Sequence, residues 1–279
     1  LQDQPPKITL RWGHLPRIAG CQEAFDEHHE QADENNVVHF LILDERNPSS
    51  ILSSLRSARE NMRTTRDLMP REVWEQVNRL YYRVREQGQQ AMSRQRRHEF
   101  LDQIILDANM ISGLLFGGMS NDQAFRFLHI GIDIERADMT TRIIDVRSES
   151  LLPEQSEDIM PFLNIQWMSM LRSLTAYQMY RRHIRRRVNG PDVLRFLLQN
   201  TEFPRAVVFC LNRLNSTLLQ LPHSEPCINQ VIQLRTHVAG GEFHQLIEQG
   251  LSEFLDQIQL ELNTPVSYTH LRAHETKPN

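Results

Sequence analysis

Lysine is almost absent from this chain: Lys7 and Lys277 are the only two, and both lie in the terminal segments. A P-loop lysine, a lysine Schiff base and a lysine general base therefore have no candidate in the body of the protein. Cysteine is nearly as scarce. Cys21, Cys210 and Cys227 are scattered and odd in number, which excludes a disulfide framework and any CxxC metal knuckle, so they read as core thiols. Long apolar runs are missing too. The longest, Ala206 to Leu211, is far short of the roughly 18 to 20 residues of a membrane span, and no charged-then-apolar signal segment opens the chain. The net charge of −4 is spread without a large basic face. The expectation is a cytoplasmic protein with neither a membrane nor a nucleic acid as partner. No HExxH, no GxGxxG and no Ser-His-Asp or Cys-His arrangement can be assembled from spacing, so neither a cofactor nor a metal is expected.

What the chain does contain is helical pattern. Its 279 residues are 40% hydrophobic and 24% charged, and capping signals followed by apolar positions at spacings of three and four recur from about residue 36 to 262. The expected fold is all-α, a multi-helix bundle. Asn47 and Pro48 read as cap and first turn of a helix reaching about Met69, and Pro70 starts the next. Ser120 with Gln123 reads as a capping box opening a long helix to about Val146. Ser148 to Pro161 reads as a loop, and one helix then runs from about Asn164 to Arg187. A repeat is visible as well: Val37, Phe40, Leu41, Pro48 and Leu55 match Val193, Phe196, Leu197, Pro204 and Leu211 at one offset. Two duplicated helical units follow, half-repeats of about 1–117 and 118–262 within a single domain spanning 1–262. The counterpart of the Ser120 helix would fall before residue 1, so the first long helix is expected to be missing. From Asn263 the amphipathic pattern stops. Val266 to Thr276 resembles read-through of cloning sequence, and 263–279 is expected to be an unstructured, non-native tail.

The long helix carries the candidate site. Counting 100° per residue from Phe127, Glu135 falls at about 80°, Arg142 at about 60°, Asp138 at about 20° and Asp145 at about 0°. His129, Arg126, Asp133, Arg136 and Thr140 fall on the other side, which reads as the solvent face. The acidic stripe is thus expected to point inward, where charge is costly unless paired. Arg59 and Arg66 share a face of the Asn47 helix, and Gln178 and Arg182 lie within about 60° of Trp167. Together these residues read as a polar pocket in which arginine forks hold a carboxylate or phosphate. The alternative is a buried ion-pair network that only sets helix register. A carboxylate-bridged metal centre needs Glu-x-x-His pairs on two helices, and here only Glu135, Asp138 and Asp107 are on offer.

The stretch Phe127 to Asp145, with Ile134-Glu135-Arg136-Ala137-Asp138 at its centre, resembles the signature of the bacterial alpha-E domain family. Asn47-Pro48-Ser49-Ser50-Ile51 with Ala58-Arg59-Glu60-Asn61, and Ala176-Tyr177-Gln178-Met179-Tyr180-Arg181-Arg182, resemble it too, over about residues 10 to 262. The resemblance implies an all-helical protein of unknown biochemical activity. Its companions would be circularly permuted ATP-grasp ligases and transglutaminase-like proteins, in a system that makes or modifies peptides. Family members begin with a further helix, which agrees with the truncation expected from the repeat. His129 and Ile132-Asp133 depart from the family's usual more hydrophobic or arginine-containing stretch.

Overall fold

A computed structural model describes residues 12–149, 160–248 and 250–275. Among them every regular element is helical. The chain divides into two compact units, Leu1–Phe125 and Arg126–Asn279.

The first unit contains α1 (His14–Ile18), α2 (Gln22–Asp26), α3 (Glu34–Ile42), α4 (Ile51–Thr64), α5 (Arg71–Gln87) and α6 (Arg94–Gly118). On α5, Val73, Val77, Leu80 and Val84 recur at the spacing of one helical face and are all buried. Leu80 and Val84 pack with Val38, Ile42, Leu52 and Phe100. A polar node interrupts this apolar surface. Asp107 of α6 is buried, pairs with Arg83 at 3.0 Å and accepts a 3.2 Å hydrogen bond from Gln76 Nε2, so its charge is compensated by α5. By length and composition α6 would reach across a membrane. Asp102 and Asp107 interrupt its apolar sequence, so it contains no long unbroken apolar run. Glu34 at the start of α3 pairs with Arg94 and, at 2.8 Å, with Arg97, and these hydrogen bonds hold its carboxyl down at about 2.

The entry to α4 differs from the expected Asn47-Pro48 cap. Asn47 is buried in the turn before the helix, donating from Nδ2 to Phe40 O at 3.0 Å and accepting from Ser49 N at 2.9 Å. The cap is Ser50, extended, whose hydroxyl accepts from Ser53 N. α4 also stops at Thr64, before the expected Met69, and a single tight turn over Arg66–Leu68 follows.

The second unit contains α7 (Gln123–Glu149), which begins just ahead of the division, then α8 (Met160–Ser173), α9 (Tyr177–His183), α10 (Gly190–Gln199), α11 (Val207–Leu218), α12 (Glu225–Ala239), α13 (Phe243–Glu248) and α14 (Leu251–Glu275). Its core is centred on α10, which buries Val193, Leu194, Phe196, Leu197 and Leu198. Each such side chain contributes up to about 1.5–3 kcal/mol of transfer free energy. Asn189 caps α10 by accepting from Asp192 N, and Gly190 lets the backbone close on Trp167, since a Cβ there would lie 2.8 Å from the indole. At the far end of α10, Gln199 Nε2 donates to the carbonyls of Val238, Ala239 and Gly241, all within 3.1 Å. It thereby satisfies acceptors that the end of α12 leaves open.

Three expectations are corrected here. α7 is capped by Asp122, whose carboxylate accepts from Phe125 N at 3.1 Å, because the helix starts at Gln123 and Ser120 stands too far ahead of it. The helix expected over Asn164 to Arg187 is broken into α8 and α9 at Thr175, which adopts φ 54°. α14 runs on to Glu275, so residues 263–275 of the expected unstructured tail are helical. Once the packed turns to Leu262 have nucleated the helix, each further residue other than Pro265, which has no N–H to donate, adds a backbone bond without needing an apolar seam. The last four residues of that tail, and most of the loop expected over Ser148 to Pro161, lie outside the described residues.

Candidate functional site

The orientation of α7 decides the site. Ile130, Ile134, Ala137 and Ile144 form the row that enters the core of the second unit. Phe127, the reference for the inward stripe, is itself 42% exposed. Burying the isoleucine row rotates the helix away from the expected orientation. Glu135 is therefore exposed, a correction to its inward placement. Asp138 and Arg142 are half-buried and pair with each other one turn apart, Arg142 Nε donating to Asp138 Oδ2 at 2.6 Å. Asp145 does point inward, and accepts from Ser252 Oγ of α14 at 2.8 Å.

The residues expected to face solvent provide the buried chemistry instead. Asp133 is 1% exposed, with Arg213 Nε of α11 at 3.2 Å, and neither carboxylate oxygen receives a hydrogen bond among the described residues. Burial pushes its carboxyl up to about 6, although Arg213 and Arg136 pull it down. Arg213 Nη2 donates to His129 Nδ1 at 2.6 Å, which leaves the ring proton on Nε2. Burial, with Arg213 and Arg136 nearby, holds His129 below the usual imidazole range. Thr140 Oγ1 donates to the carbonyl of Arg205 at 2.9 Å, and burial lowers the Arg205 guanidinium itself. Cys210 lies under the same face, its thiol pushed up to about 12 by burial and the Asp133 charge. These contacts tie α7 to α11, to the segment before α11 and to α14.

Gln178 and Arg182 are both exposed on α9. Their angular relation to Trp167 does not exist, because Trp167 belongs to α8 and the break at Thr175 resets the helical phase. In the first unit, Arg59 Nε donates to Asn78 Oδ1 at 2.7 Å and its guanidinium stacks over Tyr81 at 4.3 Å. Arg66 lies over Trp74 at 5.5 Å. Among the described residues no three His, Cys, Asp or Glu side chains gather closely enough to hold a metal ion. What the α7 face can do chemically is hold helices: most of its inward polar groups are engaged by the elements beside it.

A family model described as a predicted alpha-helical domain with a conserved ER motif matches residues 1–266. Glu-Arg occurs twice in the chain, at Glu45-Arg46 and Glu135-Arg136. No curated protein and no solved structure matches.

Proposed function

The chain belongs to the Alpha-E family, and from that premise we propose that it is a non-catalytic helical scaffold whose internal polar network sets helix register. It would serve a system in which an ATP-grasp ligase, with a transglutaminase-like protein as companion, makes or modifies peptides. The observation that carries the scaffold reading is the engagement of α7 by its neighbours: Asp133 with Arg213, Thr140 with the Arg205 carbonyl and Asp145 with Ser252. Groups spent on one another in this way pin one helical register and strand a charge in any other.

The scaffold reading includes an internal duplication, which the helix positions support. At an offset of 156, α3 falls on α10, and the first residue of α4, Ile51, falls on the first of α11, Val207. At an offset of 154, Val73, Val77, Leu80 and Val84 fall on Cys227, Val231, Leu234 and Val238, all buried. At that same offset Glu-Phe-Leu-Asp-Gln-Ile occurs in both α6 and α14, at Glu99–Ile104 and Glu253–Ile258. Ser54 of α4 is exposed where its counterpart Cys210 is buried against α7, as expected if a counterpart of α7 precedes this sequence in the complete protein.

The test is reconstitution. The chain, extended by such a helix where one exists, is mixed with an ATP-grasp ligase encoded beside it, and ATP-dependent amide formation is followed. The scaffold reading expects the chain to bind the ligase and change its rate. Glu135→Gln with Asp138→Asn is expected to leave that effect in place. Loss of the effect in this variant at an unchanged melting temperature would restore the pocket reading.

A further inference from the structure

A cavity of about 420 Å³ lies within the first unit, lined by Arg56, Ser57, Arg59, Glu60 and Arg63 of α4 and Trp74 of α5. Three guanidinium groups meet a single carboxylate there. We propose that this groove binds a small oxyanion carrying two or more negative charges, an organic phosphate or a polycarboxylate, with Arg59 as its fixed anchor.

Arg59 is held from behind. Its Nε donates to Asn78 Oδ1, whose own amide is oriented by Trp74 O at 2.9 Å, and the guanidinium plane rests on Tyr81 and, at 5.2 Å, Tyr82. Among the described residues no carboxylate lies within ion-pair distance of it. A guanidinium fixed by stacking and one hydrogen bond presents its remaining donors with little entropy left to lose. Arg56 and Arg63, three residues before and four after, share its side of the helix. Their present partners, Glu45 and Glu60, are more than half exposed. Exposed pairs of that kind are weak and screened, so they yield readily to a bound anion.

α11, which starts where α4 starts at an offset of 156, has Asn212 and Asn215 at the positions of Arg56 and Arg59, and it ends before the position of Arg63. A helix of this kind thus packs without the guanidinium cluster, and the cluster is a feature of α4 rather than a demand of the architecture. The site stands on the α4–α5 geometry, and only the likeness of α4 to α11 rests on the duplication.

Calorimetric titration of the full chain with pyrophosphate and, separately, citrate, at an ionic strength of about 0.15 M, tests the proposal. Sub-millimolar binding of either probe is expected, pyrophosphate the tighter for a phosphate ligand and citrate for a carboxylate one. Arg59→Gln and Arg63→Gln are each expected to weaken it about tenfold. Arg63 is exposed, so its variant keeps the test meaningful if the Arg59 variant folds poorly. Arg71→Gln, on α5 but outside the groove, is expected to leave binding unchanged. Absence of binding by both probes, or equal weakening by the Arg71 variant, overturns the proposal.

Discussion

Replacing Asp133 by asparagine isolates the energetic character of the α7 face. The carboxyl is buried and its pKa rises from 3.8 to about 6, so the native protein holds this proton more tightly than the unfolded chain does. Native stability referred to this group is therefore highest below about pH 4, falls as the pH rises to about 6, and is level above that. A shift of about two units corresponds to about 3 kcal/mol. Asparagine keeps the shape and carries no charge to desolvate, so it escapes that penalty. The attraction of Arg213 and Arg136 is already contained in that net rise, and the Arg213 guanidinium, 32% exposed, retains His129 and solvent. Asp133→Asn is thus expected to be more stable than the parent by up to about 3 kcal/mol at about pH 7.5, with the gain gone at about pH 4. Urea unfolding of both proteins across that range measures the difference directly. A difference that does not vary with pH, or a variant less stable at the upper end, refutes the reasoning by showing that Arg213 more than offsets burial.

Other outcomes follow from features already described. Gly190→Ala drives a methyl group into the Trp167 indole and is expected to cost about 1–3 kcal/mol in denaturant unfolding, because two buried groups must part to admit it. Glu34, held at about 2 by Arg94 and Arg97, contributes stability that is complete above 4.5 and is lost as the pH falls toward 2. Glu34→Gln flattens the acid limb of the stability curve, and a limb that keeps its slope assigns the acid sensitivity elsewhere. Cys21, Cys210 and Cys227 are all buried, so a thiol reagent at about pH 8 is expected to modify them only under denaturing conditions. Rapid labelling of the native protein contradicts the burial.

Much of the helical plan is legible in the sequence, since caps and spacing are local signals. The apolar positions of α10 and the Val73 to Val84 row of α5 are readable by inspection. The face of α7 is not, because the wheel holds two candidate stripes, and the choice depends on how much isoleucine surface each one buries. Referring the angles to Ile130 and Ile134 instead of Phe127 brings Asp133 inward and leaves Glu135 at the surface. The partner of Asp133 is beyond any local reading: Arg213 stands far along the chain and is brought near only by the packing of α11. The break at Thr175 is hidden for a different reason, since the residue that takes the left-handed conformation is neither glycine nor asparagine. The hexapeptide shared by α6 and α14 is readable in the sequence alone. It lies off the single offset of 156, because α11, with 12 residues, is two residues shorter than α4, with 14.

The side chain of Gln199 touches three carbonyls that lie some forty positions further along the chain. Releasing α12 forfeits these contacts of the Gln199 amide together, and so does fraying the last turn of α10, so opening either segment raises the cost of holding the other. Amide protons at Val193–Leu198 and at Val231–Val238 will then exchange with solvent through one shared opening event. A cut in the polypeptide between these segments will leave two pieces that remain associated until the whole second unit melts.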